Sequence, residues 1–190
     1  KGLALRSPQF WAEAIQVNSF ADRKSGKTKK VTAEEMVVIY ADESSRKGPI
    51  AFHGAAAYQP KKPSKLLVTL LPKGTDAKAW LETNWKADET ASKNWITAAV
   101  AESENFPVAD QPFLMAYAFG HMLAKFNIDA NQWYLEGVGE ACVGAQKVAC
   151  ESMPGRLSGL ILRDPAKAVT NANSARFATY VLADAATNET

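Results

Sequence analysis

The sequence predicts an α/β protein, a mostly parallel sheet flanked by helices and preceded by a helical extension. Three observations carry this expectation. Residues 66–71 form a nearly unbroken apolar run, as expected of a strand buried on both faces. From residue 50 onward such runs alternate with amphipathic stretches, the order of repeated β-α-β units with right-handed crossovers and sites at the strands' carboxyl ends. Residues 132–165, QWYLEGVGEACVGAQKVACESMPGRLSGLILRDP, read as strand, sharp turn, helix and strand.

The elements follow in chain order. Residues 7–20 place Phe10, Trp11, Ile15 and Val17 at rough helical spacing behind a Ser-Pro start, which predicts a helix with proline in its first turn. A basic run follows, Arg23, Lys24, Lys27, Lys29 and Lys30, best read as a solvated loop. Thr32 and Glu35 have capping-box spacing, so residues 33–45 are expected to be a second helix, ended by Gly48-Pro49. Strands are expected over 50–58, 66–71, 95–100, 133–138, 157–162 and 178–183. Helices are expected over 77–85, 112–126 and 140–152. The domain division is therefore a helical extension over 1–48 packed on a main domain over 49–190. No internal repeat or low-complexity segment interrupts it.

Composition narrows the function. With 190 residues, 47% hydrophobic and 22% charged, the chain fits one soluble domain with a sizeable core. A net charge of +2 supplies no general field for nucleic acid. No apolar run approaches the roughly 20 residues of a membrane span, and KGLALRSPQFW lacks the apolar stretch of a signal peptide. The absent initiator Met points to a chain processed or excised from something longer. Cys142 and Cys150 sit eight residues apart on one expected helix, about 12 Å at 1.5 Å per residue, too far to bridge. They read as small core residues and leave the redox compartment open.

The turn after residue 138 is the informative feature. Gly137-Val138-Gly139-Glu140-Ala141 has the small residues of a nucleophile elbow, G-x-S-x-G, in which a strained strand-to-helix turn exposes a serine above the sheet. Gly139 stands where the serine would. A glycine cannot attack a carbonyl. YQPKKPSKLLVTLLPKGTDAKAWLETNW, KFNIDANQWYLEGVGEACVGAQKVACESMPGRLSGLILRD and the shorter FATYVLADAATNE together resemble the extracellular-type esterases among the α/β-hydrolases, including polyhydroxybutyrate depolymerases, feruloyl esterases and carboxylesterase-like enzymes. The resemblance spans residues 58–189 and implies an α/β-hydrolase-like fold truncated at its C-terminal end. It mildly favours an exported protein.

Carried over position by position, the resemblance implies a degenerate site. Its oxyanion loop begins with a His-Gly pair, read here as Leu71-Pro72, and proline has no N–H to donate. Losing one such donor typically costs about 100- to 1,000-fold in rate. The triad acid falls on Thr187, with Asp184 three residues earlier, and the histidine position lies past Thr190. His53 and His121, the only histidines, fall on an early strand and on the helix before the elbow strand, and both read as structural. Cys142 is the one substitute nucleophile, through a G-x-C-x-G-like register with Gly144, and a helix N-terminus would lower its pKa.

Asp88, Glu89, Glu102 and Glu104 lack zinc or calcium spacing. Gly137-x-Gly139 lacks the third glycine of a dinucleotide fingerprint. Neither metal nor cofactor is expected. The leading expectation is a pseudo-esterase serving as a binding or structural module, its cleft formed by Pro72, Lys73, Gly74, Val138, Gly139 and Glu140 and open to a small-molecule or protein ligand. The alternatives are an ester hydrolase completed by further C-terminal sequence or by Cys142, and an interaction module that oligomerises through the final sheet edge.

Overall fold

A computed structural model describes residues 30–40, 42–55, 58–60, 62–85, 95–166 and 178–182. Within them seven strands form one sheet: β1 (Thr32–Ile39), β2 (Ser45–His53), β3 (Ser64–Leu71), β4 (Trp95–Ala101), β5 (Ile128–Val138), β6 (Gly159–Arg163) and β7 (Ala178–Leu182). Their order across the sheet is β1-β2-β4-β3-β5-β6-β7. The β1, β2 and β4 contacts are antiparallel, and β4, β3, β5, β6 and β7 run parallel. Helices α1 (Ala77–Asn84), α2 (Gln111–Lys125) and α3 (Ala141–Lys147) connect the parallel strands, and α3 continues into a π-helical turn, Val148–Ser152. From residue 64 onward each described strand and helix agrees in type and order with the sequence reading.

The first part does not. Residues 33–45 do not form a helix, and the stretch assigned to a helical extension supplies β1 and the start of β2 instead. The local capping signal loses to pairing. Glu35 meets Lys47 across the hairpin at 2.8 Å, and Met36 and Val38 alternate into the core while Val37 and Ile39 face outward, a period of two. Between β1 and β2, Tyr40 N–H donates to the Ser44 carbonyl (2.9 Å), Asp42 accepts from Ser44, and Glu43 takes a positive φ of 66°.

Gly48-Pro49 lies inside β2 and terminates nothing. Pro49 is tolerated because β4 pairs only with residues 51–53, leaving it on a stretch with a single neighbour, β1. Gly48 leaves the space that the Phe106 ring occupies. The expected helix at residues 7–20, the basic run up to Lys29, and Asp88, Glu89, Asp184 and Thr187 lie outside the described residues.

Two apolar layers hold the sheet. On one face Leu66, Val68, Leu70, Ile96, Val100 and Leu135 pack under α2 and α3, which bring Leu114, Met115, Ala118, Met122, Ala141 and Ala145. On the other, α1 lays Ala77 and Leu81 on Ala51, Leu71 and Ala99. Asp76 caps α1, accepting from Lys78 and Ala79 N–H at 2.9 and 3.1 Å. Proline sits in the first turn of α2, as its missing N–H allows. Among the described residues no helix is long and apolar enough to cross a membrane.

Strand β1 is fastened to α2 by Tyr117, whose hydroxyl donates to the Ile39 carbonyl at 2.8 Å, and by the carboxylate of Glu34. Glu34 accepts from Lys125 Nζ (2.8 Å to Oε2, 3.0 Å to Oε1) and lies 3.1 Å from His121 Nε2. Burial raises the Glu34 pKa, but the hydrogen bonds and charges of Lys125 and His121 outweigh it and leave the carboxyl below its ordinary 4.5. Burial, with the Lys125 charge, pushes His121 below 6.5 against the pull of Glu34. Both groups bind protons less readily folded than unfolded, so both contribute stability that declines on acidification: His121 first, as pH falls through about 6.5, then Glu34 below about 4.5. Thermal unfolding followed from pH 7 to pH 2.5 is expected to show a falling midpoint; Glu34→Gln should flatten the decline below about pH 4.5 and steepen it near pH 6, where His121 has lost the carboxylate that raises its pKa. An unchanged acid limb in that variant would remove Glu34 from the account.

Candidate functional site

The turn between β5 and α3 is an elbow in fact. Strand β5 ends at Val138, Gly139 takes a φ of +56°, and α3 begins two residues later at Ala141. Gly139 N–H donates to the Arg163 carbonyl on β6 at 2.8 Å, and its own carbonyl accepts from Cys142 N–H (3.3 Å) and Ala166 N–H (3.4 Å). The turn is thus tied both to the next strand and to its own helix. Gly137 explains how the helix reaches so near the strand. A Cβ there would stand 2.7 Å from Ala145 Cβ and 2.8 Å from Cys142 Cα, distances that side chains do not sustain.

Pro72, the first residue after β3, faces this bend. Among the described residues, a Cβ built on Gly139 would meet only Pro72 Cγ, at an ordinary 3.6 Å. The loop that the resemblance equates with an oxyanion loop therefore lies against the elbow, and the residue it presents has no N–H. Beyond it, Thr75 N–H donates to the Pro72 carbonyl (3.2 Å), Gly74 adopts a φ of +83°, and exposed Lys73 pairs with Glu104 at 3.4 Å. Glu140, next after Gly139, is exposed. The cleft residues expected from sequence come from these two loops, both at the carboxyl edge of the parallel strands.

Acidic groups gather beside the bend. Glu102, at the end of β4, donates its N–H to the Leu71 carbonyl (3.0 Å) and accepts a short hydrogen bond from Gln111 Nε2. Burial holds its pKa above 4.5; the Gln111 hydrogen bond works against this and the Glu140 charge adds to it. Gln111, at the start of α2, is itself buried and lies against Gly144 of α3, which has no Cβ to exclude it.

Cys142 lies inside the core, in the first turn of α3. It is fully buried, and its thiol donates toward the Gly137 carbonyl (3.2 Å) and lies 3.4 Å from the Arg163 carbonyl. Burial pushes its pKa up to about 11; the Arg163 contact pulls it down, and the Glu136 and Asp164 charges push it further up. The expected helix-terminus lowering is overridden, because desolvation of a thiolate exceeds what the first turn of a short helix supplies. Cys150 is likewise buried and free. His121 is engaged with Glu34 on β1, four strand positions from β5, a lateral offset of roughly 19 Å at about 4.8 Å per strand. His53 lies at the end of β2, opposite Thr97 of β4.

Sequence reasoning missed Glu136. This carboxylate is wholly buried in β5, three residues before Gly139, and accepts from Thr69 Oγ1 on β3 (2.8 Å) and from Arg163 Nε and Nη2 on β6 (both 2.9 Å). The guanidinium stands 5.7 Å from the Trp80 ring centroid. The available signal was a charged residue inside the apolar strand WYLEGV.

Comparisons with solved structures place this architecture. The chain is similar to a thermostable esterase (TM-score 0.55, 14% identity, 78% of this chain and 45% of that one). It is also similar to a fungal esterase from Rhizomucor miehei (0.53, 14%, 86% and 54%) and to a ferulic acid esterase (0.52, 8%, 76% and 64%). The fold is that of the α/β-hydrolases, and the chain spans about half to two thirds of the lengths of these three structures. No family model matches the sequence, and no curated protein matches it.

The two elbow glycines are expected to respond differently to a methyl group. Gly137→Ala drives a Cβ into α3 and should cost about 1–3 kcal/mol or more, the usual penalty of overpacking. Gly139→Ala makes an ordinary contact with Pro72 and should cost about 1–2 kcal/mol, the penalty of a left-handed φ. Urea unfolding followed by tryptophan fluorescence ranks them; a larger loss at Gly139 would contradict the close approach of α3.

Proposed function

We propose that the protein is a catalytically degenerate α/β-hydrolase-fold protein, a pseudo-esterase whose elbow serves as the floor of a binding cleft or as a structural module. One observation carries the reading: the bend retains its left-handed φ and its hydrogen bonds, yet Gly139 brings no side-chain atom to it. Two features support it. Pro72, the residue against the bend, cannot donate to a developing oxyanion. Cys142, the nearest thiol, is buried and protonated at neutral pH. The cleft is assigned to Pro72, Lys73, Gly74, Val138, Gly139 and Glu140, with a small-molecule or protein ligand above the elbow.

An ester hydrolase completed by polypeptide beyond this chain is the second reading, favoured by the fraction of the esterase chains that the alignment spans. Gly139 and Pro72 weigh against it, because added sequence replaces neither. The expected outcome with short-chain p-nitrophenyl esters is no turnover above a Cys142→Ala control. A fluorophosphonate probe should likewise leave the protein's mass unchanged. Stoichiometric attachment of that probe near the bend, or hydrolysis that depends on Cys142, would overturn the proposal.

A further inference from the structure

We propose that Arg163, locked by the buried carboxylate of Glu136, is the positioning residue of the elbow: its side chain fixes β6 so that its main-chain carbonyl holds the glycine bend in shape. One residue makes both sets of contacts. Through its guanidinium, Arg163 donates from Nε and Nη2 to a single oxygen of Glu136, each at 2.9 Å, and lies over the Trp80 ring. Through its carbonyl it accepts the Gly139 N–H at 2.8 Å and is approached by the Cys142 thiol at 3.4 Å. Glu136 is held in turn by Thr69 Oγ1 on β3, so three adjacent strands converge on one carboxylate directly beneath the bend.

The energetics favour a positioning role over a general contribution to stability. A buried ion pair contributes little net stability compared with an apolar replacement, because desolvation offsets attraction, whereas removal of one partner leaves an uncompensated charge. What such a pair supplies here is geometry: planar donation from a guanidinium fixes the direction in which Arg163 lies. Gly139 has no side chain to restrict its own φ, and a free glycine samples both signs of φ with similar ease. The bend keeps its left-handed shape through hydrogen bonds, and the shortest of those it makes to neighbouring segments runs to Arg163.

The inference gives the proposed cleft its positioning residue and rests on that reading only for its functional meaning. The test reads backbone opening and needs neither ligand nor turnover, so it can fail while the cleft stands, or succeed while the cleft is refuted. Cys142 and Cys150 are both buried, lie at opposite ends of the same helical segment, and are separated on tryptic digestion at Lys147. Iodoacetamide labelling of the folded full chain, quantified by peptide mass spectrometry, therefore reports the bend and the far end of the helix in one sample.

In Glu136→Gln, Cys142 is expected to label at least tenfold faster than in the parent after each rate is divided by the thiolate fraction read from its own pH profile, because loss of the Glu136 charge also lowers the Cys142 pKa, with Cys150 changed less than twofold. Arg163→Lys, which keeps the charge and loses the planar fork, is expected to fall between the two. Equal acceleration at both cysteines, including that caused by outright unfolding, would reduce the pair to a general structural role and overturn the proposal. So would no acceleration at Cys142.

Discussion

The distance between β5 and α3 over Gly137 is the constraint on which the site depends. A single methyl group at that position would stand well inside the contact limit of Ala145 and of the Cys142 backbone. The helix therefore lies on the strand with nothing between them, and the turn joining them must be sharp. Ala141 and Ala145 are fully buried and Gly144 accommodates the Gln111 amide, so small residues extend along the whole contact. Packing demands those small residues whatever the turn does chemically. Packing makes no demand for a serine oxygen at residue 139, since only Pro72 lies within ordinary contact of a side chain there. An elbow can thus hold its form without a side-chain atom at the bend.

A second constraint lies beneath the first. The parallel strands β3, β5 and β6 are joined by ladders that would tolerate a slip, at the cost of turning inward side chains outward. Thr69, Glu136 and Arg163 permit one arrangement only. In it Thr69 stands directly opposite Glu136, and Arg163 reaches back from its place opposite Val138. A slip by one residue would leave a carboxylate buried without partners, a penalty larger than that of losing an apolar contact. Polar specificity and steric closeness therefore act on the same few residues, one from within the sheet and one from above it.

Most of this was legible from residue 64 onward because each element there carries its own signal. The apolar run of β3, the amphipathic stretch of α2 and the glycines of the elbow all agree between local preference and final environment. The first hairpin was misread for the opposite reason. Thr32 and Glu35 have the spacing of a capping box, a helical signal that competes with the β-branched run Val37, Val38 and Ile39. What decides the matter is Lys47 as a partner for Glu35, together with a buried position for Met36 and Val38, and neither is local information. Gly48-Pro49 misled similarly, since its tolerance in β2 depends on where β4 stops pairing. Glu136 was overlooked because its two partners lie 67 and 27 residues away in sequence.

The sign of the charge around the bend adds an argument that geometry alone does not make. Acyl transfer through an elbow develops negative charge above the turn, and catalysis requires donors or positive potential there. Around this bend the named charges are chiefly carboxylates. Glu136 and Asp164 raise the pKa of Cys142, Glu140 raises that of Glu102, and Lys73 is paired with Glu104. Arg163, the cation whose carbonyl touches the turn, directs two of its five donors, from Nε and Nη2, to Glu136. A field that disfavours a thiolate beneath the turn also disfavours an oxyanion above it, because both are anions in one poorly solvated neighbourhood. A serine oxygen placed at residue 139 would meet surroundings that oppose the negative charge acyl transfer develops.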